Sequence, residues 1–191
     1  SRAIPREAKA NLRDLDREAL AAWLAQAWAA AGAAPPPRHR AEQLFRWLHQ
    51  RRAPDFASMS DLPAADRARL AELASLGRLR VDAVFPARDG TRKLRLRTAD
   101  GAALESVLIP NDERGYTQCV SSQVGCALTC RFCATASLGF QRNLATWEIV
   151  DQVYQAQDLL QREAEAAGAP YPGRITNLVF MGMGEPLHNY D

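Results

Sequence analysis

The chain has 191 residues, 47% of them apolar and 24% charged, with a formal charge of +2, which suits one or two globular domains and excludes a disordered or fibrous chain. Its apolar stretches are broken by charge and its N-terminus lacks the apolar segment of a secretory signal, so a cytoplasmic protein with no membrane partner is expected. Residues 1–104 carry 19 basic and 12 acidic side chains and residues 105–191 carry 5 and 10, so the first half points to a polyanion, although simple abundance of Arg gives the same balance.

Residues 7–30 place Leu12, Leu15, Leu20, Trp23, Leu24 and Ala27 largely on one stripe, which predicts an amphipathic helix stopped by Pro35-Pro36-Pro37. A second helix is predicted over 38–51, with Leu44, Phe45, Trp47 and Leu48 apolar and Arg38, Arg40, Arg46, Arg51 and Arg52 around them. A third spans 63–76, with Asp61 as N-cap and Gly77 as stop. Together they form a small helical domain, residues 1–77. Its arginines are candidates for phosphate contacts, and a solvated helix face fits them equally. Trp47, Phe45 and Leu48 read as core.

The period changes to two over 78–112. Arg78–Phe85, Arg92–Thr98 and Ala103–Ile109 are short β-prone runs punctuated by Asp89-Gly90 and Asp100-Gly101, a three-stranded meander. Glu105 alternates with Val107 and Ile109 and shares their face. A carboxylate there lies at a rim or has a function.

Residues 113–191 read as α/β. A strand over Tyr116–Val124, a Gly- and Cys-bearing loop through Phe140, a helix over Thr146–Ala167 and a strand over Arg174–Met181 make one βαβ unit. Thr146 is the expected N-cap and Gly168 the stop; Glu148 then falls in the first turn, one residue short of a capping box.

All four cysteines fall between Cys119 and Cys133, a cluster that reads as a metal site. Cys126, Cys130 and Cys133 have the spacing C-x3-C-x2-C. Three thiolates on one loop suit a cubane 4Fe–4S cluster with one iron left open. Zinc would need a fourth ligand, Cys119 or His188. The next strand ends in Met181-Gly182-Met183-Gly184-Glu185, where glycine lets backbone approach a ligand and Glu185 could accept from an ammonium.

The segments RAEQLFRWLHQR, DFASMSDLP, DGTRKLRL, ESVLIP, CVSSQVGCALTCRFCATASLGFQRNL and NLVFMGMGEPLHNYD together resemble the bacterial radical S-adenosylmethionine (SAM) RNA adenine-C2 methyltransferases, over nearly the whole chain. The resemblance implies an α/β fold: an N-terminal helical RNA-binding domain, a linking β meander (78–112), and the start of a partial (β/α) radical SAM barrel (113–191) that stops after its second strand. It implies Cys126, Cys130 and Cys133 as cluster ligands, and Gly184 and Glu185 as contacts to SAM. It implies Glu105 as the base for the C2 proton, with a raised pKa on its apolar face. It implies Cys119, otherwise readable as a buried structural thiol, as the cysteine that resolves a protein–RNA adduct through a disulfide.

In that family a cysteine near the C-terminus is methylated by one SAM, and a radical from a second SAM activates the methyl group for attack on C2, a carbon too electron-poor for polar methylation. The implied partners are 23S ribosomal RNA, tRNA and a reducing electron donor, and the target adenine is expected to leave its stack. No cysteine follows Cys133, so the chain matches the N-terminal half of the family and is expected to be inactive alone. The alternatives are an adenine-C8 methyltransferase with the same cluster motif, a non-catalytic RNA-binding module with structural zinc, and a fragment in which only the N-terminal domain folds.

Overall fold

A computed structural model describes residues 9–111, 115–170 and 173–190. The chain divides into two compact units, 1–77 and 78–191. In the first, β1 (Ala10–Asn11) leads through a 3₁₀ turn at Leu12–Asp14 into α1 (Arg17–Ala30), α2 (His39–His49), α3 (Ala64–Leu73) and β2 (Ala74–Ser75). The two short strands pair in parallel, Ala10 with Ala74 and Asn11 with Ser75. Leu12, Leu20, Leu24, Trp28, Leu44, Leu48, Met59 and Leu70 fill the core, and Phe45 and Trp47 pack against it half-buried, as their spacing predicts.

Three expectations for this unit change. Among the described residues the first helix begins at Arg17, not near residue 7, because two side chains break the run. The Asn11 side chain accepts from the Arg13 and Gly77 amides (3.1 and 2.9 Å), and Asp16 caps α1 by accepting from Ala19 N–H (2.8 Å). Asp61 does not cap α3, which starts after Pro63; it accepts from the Trp47 indole and pairs with Arg51 (3.7 Å). Arg40 is no phosphate ligand: it is buried, ion-paired to Asp66 at 3.0 Å and donating to Gln43. Arg38 and Arg46 remain exposed, and Arg51 lies over the Trp47 ring at 4.2 Å.

The second unit holds β3 (Arg80–Pro86), β4 (Arg92–Arg97), β5 (Ala103–Asn111), β6 (Gly115–Cys119), β7 (Gln123–Val124), β8 (Arg142–Asn143), α4 (Thr146–Ala167) and β9 (Ile175–Val179). The predicted meander and βαβ unit join in one five-stranded sheet, ordered β3-β4-β5-β6-β9. Only β6 and β9 pair in parallel, since the α4 crossover brings the chain back in the same direction. The predicted strand Tyr116–Val124 breaks after Cys119, and β7 pairs instead with β8.

Alternation along the strands sorts the sheet into two faces. Leu94, Leu96, Leu104, Leu108 and Tyr116 are buried in one core with Ala156 and Leu160 of α4. The other face carries Phe85, Lys93, Arg95, Glu105, Val107 and Cys119, partly open. Helix α4 spans the expected Thr146–Ala167, and its N-cap lies one residue before the expected Thr146. Ala145 is the N-cap, which puts Glu148 at the capping-box position, where its carboxylate accepts from Ala145 N–H at 2.9 Å. Gly168 ends the helix with φ +61°. Among the described residues no helix is long and apolar enough to cross a membrane.

Candidate cofactor and catalytic site

The site is built where β6 and β9 end. Beyond β9, Gly182 N–H donates to Val120 O (3.1 Å). Met183 O accepts from the amides of Ser122 and Gln123 (2.9 and 3.2 Å), and Glu185 N–H donates to the Gln123 side chain (3.0 Å). The Met-Gly-Met-Gly-Glu segment is thus laid flat on the stretch linking β6 to β7. Gly184 has φ +100°, and a Cβ there would stand 2.6 Å from Gln123 Cβ and 2.8 Å from its backbone nitrogen. Only glycine fits. The Glu185 carboxylate accepts from Leu187 N–H at 3.0 Å, capping a single 3₁₀ turn at Pro186–His188.

The cysteine loop runs out from β7 and returns at β8. Its neck is held by Cys126 N–H on Gly139 O (3.3 Å) and Gln141 N–H on Val124 O (3.0 Å). Gly125 fits that neck with φ +75°; a Cβ would sit 1.7 Å from Gly139 O. Cys130 is exposed, and Cys126 and Cys133 are half-exposed. Backbone N–H groups of Ala136 and Thr135, with the Thr135 hydroxyl, lower the Cys133 thiol pKa, and Leu128 N–H points at Cys126 Sγ from 3.4 Å. Among the described residues no three His, Cys, Asp or Glu side chains converge as a metal site. The donor set nevertheless fits a cluster: three unpaired thiols, N–H groups aimed at sulfur, and an outer rim of exposed Phe132, Leu138 and Phe140.

A cleft of about 360 Å³ gathers the pieces. Glu105 and Arg95 line one side, Ala134, Thr135, Ser137 and Leu138 of the cysteine loop another, and Met183 the floor. Glu105 lies at the mouth, its carboxylate 3.0 Å from Lys93 Nζ, its side chain 46% exposed. This is the rim position that alternation allowed: Val107 is half-buried and Ile109 exposed. Cys119 sits on the same face of the sheet, opposite Val107. Burial pushes its thiol pKa up, against an opposing hydrogen bond from Met181 N–H. The open face of β5 and β6 therefore presents Glu105 and Cys119 on the side away from α4.

Several residues that hold this arrangement were not singled out by the sequence reading. The buried Ser121 hydroxyl donates to Glu105 O (2.6 Å) and accepts from Met183 N–H (2.9 Å), tying β5 to the glycine-rich segment. Gln152 of α4 accepts from Ser121 N–H and donates to Ser121 O (2.8 Å each). Asn189 donates to the carbonyls of Ser122 and Leu144 (2.8 and 2.9 Å). Arg142 closes the far end of the loop with bidentate bonds to Asp100 (2.8 and 3.2 Å) and to buried Glu148 (2.7 and 2.9 Å). One signal was available: Asp151, Gln152 and Gln155 share the buried stripe of α4, and polar groups there need partners.

Residues 10–76 match the family model described as ribosomal RNA large subunit methyltransferase N-terminal domain. Over 181 residues the chain is 50% identical to the dual-specificity RNA methyltransferase RlmN of Alkalilimnicola ehrlichii, covering 95% of this chain and 46% of that protein. It is 46% identical to the RlmN of Halorhodospira halophila, over 97% of this chain and 47% of the relative. A crystal structure of a radical SAM methyltransferase from Sphaerobacter thermophilus superposes with TM-score 0.76 at 41% identity, over 95% of this chain and 49% of that one. The family resemblance carried by the motifs is borne out, and the mixed α/β fold is similar to that of a radical SAM methyltransferase over the part of it that this chain covers. The chain spans about half the length of the curated relatives it matches.

Proposed function

We propose that this chain provides the RNA-engaging unit and the cluster-bearing start of the (β/α) barrel of a radical SAM methyltransferase acting on adenine C2 in 23S ribosomal RNA and tRNA. The observation that carries this reading is the convergence of Glu105, the cysteine loop and the Met183 segment on one cleft, beside Cys119 on the same sheet face.

In this reading Cys126, Cys130 and Cys133 would hold a 4Fe–4S cluster. When bound, the cluster and SAM together supply the radical chemistry that an electron-poor carbon requires. Gly184 and Glu185 would contact SAM, the Glu185 carboxylate at the start of its short turn being an acceptor suited to an ammonium group. Glu105 accepts the C2 proton at the mouth of the cleft. Cys119, held as a neutral thiol by burial, serves as the thiol that resolves a covalent adduct. Exposed Arg38 and Arg46 of α2 contact RNA phosphates. The methyl-carrying cysteine of the resembled family has no counterpart among these residues, since no cysteine follows Cys133.

The test is anaerobic reconstitution followed by iron, zinc and acid-labile sulfide assay. About four irons and four sulfides per chain are expected, falling steeply in Cys126→Ala, Cys130→Ala and Cys133→Ala. Zinc without sulfide would replace this reading with a structural zinc module. Nucleoside analysis after methylation by a protein of the relatives' full length separates C2 from C8 products.

A further inference from the structure

We propose that the open face of β3–β6 is a platform for single-stranded RNA, on which Phe85 stacks an unpaired base and Lys93, Arg95 and Arg97 hold the phosphates that lead the strand to Cys119. This rests on the RNA-modifying role proposed above and adds where the strand runs.

The pairing register draws the path. Phe85 of β3 stands opposite Lys93 of β4, Lys93 opposite Val107 of β5, and Val107 opposite Cys119 of β6. Directly opposed residues share a face, so these four form one row across the sheet. Phe85 and Cys119 are three strand spacings apart, about 14 Å at ~4.8 Å each. A second row sets Arg95 beside Glu105. Because α4 and the leucine core occupy the reverse face, no helix among the described residues of this unit covers this one, and the cysteine loop meets it at Arg95 and Glu105.

Its chemistry selects the occupant. Phe85 is 46% exposed on β3, the edge strand of the sheet. Lys93 Nζ and Arg95 Cζ lie 5.4 and 5.8 Å from the ring centroid. Asp82, at a β-bulge, pairs with Arg95 (2.8 Å) and Arg97 (3.3 Å). It aims both guanidiniums; with Lys93 paired to Glu105 (3.0 Å), the three cations Lys93, Arg95 and Arg97 against two carboxylates leave the group net positive. An apolar protein partner would have to desolvate these cations. A polyanion with exposed bases uses both features: the ring takes a base face and the cations take phosphates. A duplex hides its base faces, so the face favours an unpaired strand.

The experiment is fluorescence anisotropy of the metal-free 191-residue chain with a labelled, unstructured RNA 12-mer and with a duplex of equal length. Tighter binding to the single strand is expected. Phe85→Ala should weaken it about five- to 150-fold, the range for losing one stacked base, with the salt slope unchanged. Phe85→Trp should retain binding. Arg95→Gln with Arg97→Gln should lower the slope by about 0.7 for each phosphate no longer neutralised. Thermal melts of each variant separate weakened binding from impaired folding. The proposal is overturned if Phe85→Ala binds like the parent, if duplex and single strand bind alike, or if no RNA is bound. Silence at Phe85 with weaker binding in Arg38→Gln and Arg46→Gln would sink the platform while leaving the proposed function standing. Metal content, measured separately, tests that function without touching this inference.

Discussion

Replacing Arg142 with Ala removes the clamp that fastens the return of the cysteine loop to the sheet and to α4. Its two arms differ in environment. The Asp100 side chain is 54% exposed, so that arm contributes at most about 1 kcal/mol. The Glu148 side chain is 4% exposed, and stripping a buried carboxylate of its cation costs about 3–5 kcal/mol when both partners are enclosed. Arg142 is itself 34% exposed, and Glu148 keeps its bond from Ala145 N–H, which together reduce the loss. The expected penalty is about 2 kcal/mol, or roughly thirtyfold in an opening equilibrium. Amide hydrogen exchange read by mass spectrometry measures it locally: peptides covering β8 and the first turn of α4 should exchange roughly thirtyfold faster, while those of α1 and α2 stay unchanged. Placing Arg142→Ala in a Glu148→Gln background should shrink the effect, because the buried charge is gone. An increase under threefold in the single variant, or full additivity in the pair, would refute the clamp.

Gly184→Ala must adopt φ +100° and push a methyl group against the Gln123 backbone; a loss of about 2–5 kcal/mol is expected in the unit 78–191, read as a lower melting transition, and an unchanged melt would contradict it. At pH 8 iodoacetamide should label Cys133 well before Cys119, since hydrogen bonds lower one thiol and burial raises the other; peptide mass spectrometry decides the order. Cys119 also carries a stability consequence: with its folded pKa raised, its contribution is whole below about pH 8.5 and is lost as pH climbs through the folded value. Urea midpoints of the parent should therefore fall faster between pH 8 and 10 than those of Cys119→Ala. Asp100, held far below the usual carboxylate range by Arg142 and then Thr98, gives the opposite sign; the cost of Asp100→Asn should be equal at pH 7 and 5 and shrink below about pH 4.

What was legible in the sequence is what short-range physics fixes. The cysteine spacing lies within one loop, and the glycines at 182 and 184 mark backbone forced against backbone, so both could be read without knowing the partner. The helix and strand periods were legible for the same reason: each is a local consequence of which face is buried. The misreadings all turn on a partner distant in sequence or on a competing local bond. Arg40 looks like a surface cation on its helix, but Asp66 lies 26 positions away and takes it into the core. Asp61 has the chemistry of a cap, yet the Trp47 indole claims its carboxylate. Residues near 11 and 16 carry a helical pattern, and Asn11 and Asp16 spend their side chains interrupting it.

The same logic explains why the sequence left Glu105 between a rim and a function while the structure places it at a rim. Alternation established its companions, Val107 and Ile109, but not whether anything covers their face. In this sheet the only long helix among the described residues of the unit packs on the reverse side, because the leucines at alternate positions of β4 and β5 are there. The polar half of the alternation is thereby left with Lys93, Arg95, Glu105 and Cys119. Apolar burial thus decides which chemistry is free to act: the residues that make the core also determine, by exclusion, the face on which the reactive side chains gather.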